Sequence, residues 1–99
     1  RAALEKSISI DADMAIAHNQ LGYLAARNGD MAAAESQFRE AVRAAPGYAE
    51  AWINLAATLA SERKMREAKE AVAKARQADP NNANAMQLEK DLAADTSQP

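Results

Sequence analysis

Ninety-nine residues carry 12 basic and 14 acidic side chains for a net charge of −2, enough chain for one domain but too balanced a charge to hold a phosphate backbone or an anionic membrane. Alanine dominates, Gly and Pro number three each, and aromatic and β-branched residues are sparse, so the composition predicts an all-α fold. The absence of cysteine excludes disulfides, thiolate catalysis and Cys-ligated zinc, and no apolar run reaches the roughly 18 to 20 residues of a membrane span.

The chain opens at Arg1 without an initiator Met, inside a stretch that reads as helix, so the sequence is expected to be a piece of something longer and its compartment cannot be read. A helical pattern closes near Asn28, where Gly29 can take the left-handed conformation, and Asp30 can then cap a second helix starting at Met31. That helix is expected to run to about Ala45, because Pro46 forbids helical geometry in its predecessor and Gly47 loosens the chain. The next helix starts near Ala49 and its partner near Met65, with Arg63-Lys64 between them. A left-handed residue there would carry a Cβ penalty on the order of 1 kcal/mol and the helix would lose its cap, so that turn either differs or is looser, with faster amide exchange around Glu62 to Arg66 than around Arg27 to Met31. A last helix is expected over residues 83–94, followed by a frayed tail at 95–99.

These elements repeat. Sliding residues 15–48 onto 49–82, a shift of 34, lays Ala15 on Ala49, Leu21 on Leu55, Gly22 on Ala56, Met31 on Met65, Ala34 on Ala68, Ala41 on Ala75 and Pro46 on Pro80. The matches fall at apolar or small positions with helical spacing, which one buried face per helix requires, while the positions between them differ freely. Each period is therefore a helical hairpin. Gly22 with Ala34, and Ala56 with Ala68, would let the two helices of a hairpin approach closely, and Ala41 and Ala75 would do so towards the next hairpin.

The pattern resembles the tetratricopeptide repeat, in which Trp, Leu-Gly and Tyr on a first helix precede Ala, an aromatic, Ala and Pro. The corresponding residues are His18, Leu21-Gly22, Ala25, Ala34, Phe38, Ala41 and Pro46 in one repeat, then Trp52, Leu55-Ala56, Leu59, Ala68, Val72, Ala75 and Pro80 in the other. In the same register, residues 1–10 stand where a second helix would, with Leu4 at the place of Phe38 and Ser7 at that of Ala41, and Met86 takes the Trp place in a final capping helix where Glu89 replaces Leu. The resemblance implies a right-handed α-solenoid of about six helices over residues 1–94.

Catalytic patterns are missing: there is no phosphate loop, nucleophile elbow or paired metal-binding histidine motif, so neither enzyme activity nor a cofactor or metal is expected. The one histidine, His18, reads as a packed structural residue, and Phe38, Trp52, Met31, Met65 and Met86 read as core. Glu62, Glu67 and Glu70 alternate with Arg63, Lys64, Arg66, Lys69 and Lys74, a solvated face with local ion pairs and no nucleic-acid strip.

What the resemblance does imply is a protein or peptide partner on the concave surface lined by first helices. It places there Ile16, Asn19, Tyr23, Ala26 and Arg27, then Glu50, Ile53, Asn54, Ala57 and Ser61, then Asn84, Gln87, Leu88 and Asp91. Some family members clamp the terminal carboxylate of heat-shock chaperones with Lys, Asn and Arg side chains. This chain matches only at Asn54; Asn19, Tyr23, Asn84 and Leu88 fill the neighbouring places, so capture of that tail is not expected. Two other roles fit the same residues: the repeat region of a larger enzyme similar to protein O-glycosyltransferases, and self-association through Leu4, Ile8 and Ile10.

Overall fold

The computed structural model of the protein describes residues 11–95. Asp11 opens the first helix by accepting the Met14 amide at 3.1 Å, and α1 runs Ala12–Arg27, starting ahead of the repeat boundary read at residue 15. Gly29 then takes φ +83°, and Asp30 caps α2, Met31–Ala44, by accepting from the Ala33 amide at 3.1 Å. Three further helices follow: α3, Ala49–Ser61; α4, Met65–Ala78; and α5, Ala83–Asp95. Asn82 caps α5 through its Oδ1, 3.1 Å from the Ala85 amide. The helix expected at residues 1–10 and the self-association assigned to it lie outside the described residues, as does the tail expected at 95–99 except for Asp95, which the structure places in α5.

The turn between α3 and α4 shows tertiary structure overriding local preference. Arg63 adopts φ +68°, the same left-handed geometry as Gly29. Its hydrogen bonds are also the same: Arg63 N–H reaches the Ala60 carbonyl at 3.0 Å and Lys64 N–H the Leu59 carbonyl at 2.8 Å, as Gly29 reaches Ala26 at 3.0 Å and Asp30 reaches Ala25 at 2.9 Å. Lys64 supplies no side-chain cap to α4. The turn therefore forms without either residue that favours it. Arg63→Gly is expected to raise stability by about 0.5–1 kcal/mol, the left-handed cost less the extra entropy of glycine in the unfolded chain, and to slow amide exchange around residues 62–66. An unchanged or lower urea midpoint would show that Arg63 is unstrained.

Each helix packs on its successor, α1 on α2, α3 on α4, and α2 on α3, with α5 closing on α4. Beyond these pairs α1 touches α3 and α3 touches α5, whereas the backbones of α2 and α4 stand apart. First helices thus meet on one side and second helices splay on the other, which makes the first-helix side concave. Phe38, Leu55 and Leu59 are the largest side chains sealed inside, with Ala34, Ala41, Ala56, Ala68 and Ala75 fully buried at the close approaches.

Two expected core residues are exposed. Leu21 is 50% exposed, although its counterpart Leu55 is at 1%; Leu55 has a preceding hairpin to pack on, and no described helix precedes α1. Met86 is exposed for the mirror-image reason, since no described helix follows α5. Its counterpart Trp52 is half-buried and donates its indole N–H to the Pro46 carbonyl at 2.7 Å, tying α3 to the preceding loop. Met31 and Met65 are half-buried, Met65 against the core. Glu89, at the place of Leu55, forms an ion pair with Arg76 of α4.

Candidate functional site

A helix residue contributes to a groove when its own face and the crossing of its neighbour agree, and α1 and α3 converge in this way. On α1 the residues Asn19, Gln20, Tyr23 and Leu24 share a face, at successive spacings of one, three and one. Glu50 and Asn54 lie one turn apart on α3. Together these six side chains line a cavity of about 530 Å³ on the concave side. Tyr23 and Leu24, 55% and 54% exposed, form its apolar wall.

The polar floor is held by hydrogen bonds. Asn19 is only 5% exposed; its Nδ2 donates to the Tyr48 hydroxyl at 3.3 Å and its Oδ1 accepts from Asn54 Nδ2 at 3.0 Å. A buried amide is tolerated because both its polar atoms are occupied. Asn19 therefore fastens α1 to α3 and orients Asn54. Thr58, buried on α3, returns its hydroxyl to the Asn54 carbonyl at 2.9 Å.

Of the residues expected in a groove, Asn19, Tyr23, Glu50 and Asn54 come together in this cavity. Arg27 lies one turn beyond Tyr23, its guanidinium carbon 5.9 Å from the ring centre, a cation–π distance. Ile53 is half-buried and Ala57 and Ser61 are exposed on α3, outside the cavity lining, while Ala26 packs on the core. Ile16 lines a smaller, apolar cavity with Ala12, Ala15, Ala45, Gly47 and Tyr48. On α5, Asn84 is exposed, Gln87 donates to Asp91 Oδ1 at 3.0 Å, and Leu88 packs against the core.

Gln20 and Leu24 were not anticipated. The 34-residue shift carries a signal for Gln20, which it lays on Asn54. It misleads for Leu24, whose counterpart Thr58 is buried.

The charged residues gather on the other side. Arg39 of α2 bonds Glu35 and Glu67 at 2.8 Å each, and Lys64 bonds Glu35 at 3.0 Å with Glu62 at 3.8 Å. Arg39–Glu35 and Lys64–Glu62 are local pairs of the kind expected, while Arg39–Glu67 and Lys64–Glu35 also link one hairpin to the next. Hydrogen bonding by the Glu62 carboxyl holds Glu35 down to about 2, and Lys64 and Arg39 add to this against the opposing effect of burial. Glu62 is raised in turn, first by that hydrogen bond and then by burial.

The two shifts act oppositely on stability. Depression of Glu35 contributes stability above the ordinary carboxylate range and loses it as pH falls towards about 2. The raised Glu62 favours folding while protonated, and that contribution is lost as pH rises through its folded value. Glu62→Gln, which keeps a neutral donor beside Glu35, is expected to raise the melting temperature at about pH 8 and to leave it unchanged at about pH 4. A pH-independent difference would separate the effect from the titration of Glu62.

His18 is half-buried, with its Nδ1 2.7 Å from Gln37 Oε1 across the first hairpin. Among the described residues there is no cluster of three or more His, Asp or Glu side chains able to hold a metal ion, and no helix long and apolar enough to cross a membrane.

Hairpins stacked in series, with small residues at their contacts and a cavity between successive first helices, define a helical repeat protein. The tetratricopeptide repeat family model matches residues 25–92, and the chain belongs to that family. Among solved structures it is similar to the first tetratricopeptide repeat domain of Spaghetti (RPAP3) bound to the HSP90 peptide SRMEEVD, with a TM-score of 0.66 and 18% identity, covering 92% of this chain and 99% of that one. At that identity the likeness is one of fold. No curated protein matches the sequence.

Proposed function

We propose that the chain is a protein-interaction module that holds a peptide, or an extended segment of a partner protein, on the concave side of its helices. The observation that carries this reading is the cavity of about 530 Å³ between α1 and α3, which combines an exposed tyrosine and leucine with amides already oriented by a buried hydrogen-bond chain. A tyrosine ring offers contact area at small entropic cost, and amides can pair with a peptide backbone. The similar Spaghetti domain holds a peptide on the same fold, which supports a peptide as ligand. That peptide is acidic, and here the cavity lining contains no Lys or Arg, so a chaperone tail is not the ligand proposed.

Asn19, Tyr23 and Asn54 form the centre of the proposed site, with Arg27, Ile53 and Ala57 along its length and Asn84, Gln87 and Leu88 continuing it onto α5. Turnover is not part of this reading; these residues bind and release. The test is a peptide library displayed on phage and selected on the immobilised chain. Selected peptides are expected to lose about tenfold in affinity on Tyr23→Ala, the scale of a central aromatic contact, and less on Asn54→Ala. Raising salt from about 0.1 M to about 1 M should alter affinity by less than tenfold, because few charges face the groove. Peptides that bind both variants like the unmodified chain would place the site elsewhere.

A further inference from the structure

We propose that the cavity between α1 and α3 takes a basic residue of the partner, its ammonium or guanidinium group resting on Glu50 and its aliphatic stem lying along Tyr23 and Leu24. This rests on the groove reading above and adds the chemical class of what enters it.

The first ground is the state of Glu50. Glu35, Glu40, Glu62, Glu67 and Glu89 all stand within ion-pair reach of a base. Glu50 is exposed in the cavity lining and has no hydrogen bond or ion pair among the described residues. The carboxylate is thus available to a ligand.

The second ground is where the positive charges lie. Arg39 and Arg43 sit on α2, Arg66, Lys69, Lys74 and Arg76 on α4, and Arg63 and Lys64 in the turn between α3 and α4. Lys90 is on α5, and Arg27 stacks beyond Tyr23 at the end of α1. None lines the cavity. An acidic ligand would meet Glu50 there without a compensating base.

The third ground is the direction of the amides. Asn54 turns its Nδ2 to Asn19, whose own Nδ2 is turned to Tyr48. Asn54 Oδ1 carries no hydrogen bond among the described residues, so it offers a ligand an acceptor, beside one remaining Nδ2 hydrogen, within the same cavity as the Glu50 carboxylate. A carboxylate and an amide oxygen in one cavity favour a group with several donors, such as that of Lys or Arg. Their methylene stems lie comfortably on apolar surface such as that of Tyr23 and Leu24 while the charged end stays wet.

The test uses a short neutral peptide in which Lys, Gln or Glu is placed at each position in turn, fluorescently labelled and titrated by polarisation. Against the unmodified chain, the best Lys peptide is expected to bind about fivefold tighter than its Gln twin, with the Glu twin weakest, the scale of a solvent-exposed ion pair. Glu50→Gln should flatten that ranking. Glu70→Gln, which changes another exposed carboxylate lying outside this cavity, should preserve it. Equal binding of the three peptides, a preference for Glu, or a ranking that survives Glu50→Gln overturns the proposal while leaving the groove in place. If no peptide binds, or if Tyr23→Ala leaves every affinity unchanged, the groove reading fails and takes this inference with it.

Discussion

Replacing Gly22 with alanine is expected to lower stability by about 1–3 kcal/mol, the range for overpacking, even though alanine is the better helix former by about 1 kcal/mol. A Cβ built on Gly22 would stand 2.6 Å from Phe38 Cε1 and 2.7 Å from Cδ1. Real Cβ atoms do not approach that closely, so the ring must turn or the hairpin must open. Phe38 is buried among packed neighbours and has little room to turn. The second hairpin carries the alternative solution: Ala56 and Val72, both buried, occupy the places of Gly22 and Phe38. A small helix position allows a large ring, and a methyl group requires a smaller partner.

This pairing gives the prediction a sharper form. Phe38→Val alone should destabilise by leaving a cavity, whereas Gly22→Ala combined with Phe38→Val should lose at least about 1 kcal/mol less than the two single losses added together. Urea unfolding of the four proteins measures it. Strict additivity would mean that the ring accommodates the methyl group without cost.

The same positions show what the sequence makes legible. The 34-residue shift selects Ala34, Ala41, Ala68 and Ala75, all fully buried, because close approach between helices tolerates few residue types and so leaves a visible pattern. Caps are legible where a side chain does the capping, as at Asp30, and less so where tertiary packing imposes the turn, as at Arg63. In the groove, Tyr23 and Asn54 could be named beforehand only because the resemblance to the tetratricopeptide repeat implies which first-helix positions face the concave side. The burial of Asn19 could not, because an asparagine on a helix normally faces water and this one is held by a hydroxyl 29 residues along the chain. Leu24 escapes for a related reason: its exposure is set by what packs beside α1, a property of the neighbour and not of the residue.

Leu55→Ala is expected to cost about 2–5 kcal/mol and Leu21→Ala less than about 1 kcal/mol, although the repeat gives the two leucines one identity. Leu55 is sealed at 1% exposure in the core cluster with Phe38, Leu59, Ala68 and Val72, so its removal loses apolar burial and leaves a void that close-packed surroundings cannot fill. Leu21 is 50% exposed, so much of its surface already meets water and little cavity remains when it is shortened. The contrast tests the stacking principle itself, in which each hairpin is stabilised by its own fold and by the face its neighbour covers. Chemical denaturation of the two variants side by side provides the measurement. Equal losses would show that Leu21 is covered in solution as Leu55 is in the structure; a small loss at Leu55 would mean that the hairpins do not share an interior, and the concave surface they build together would have no fixed shape.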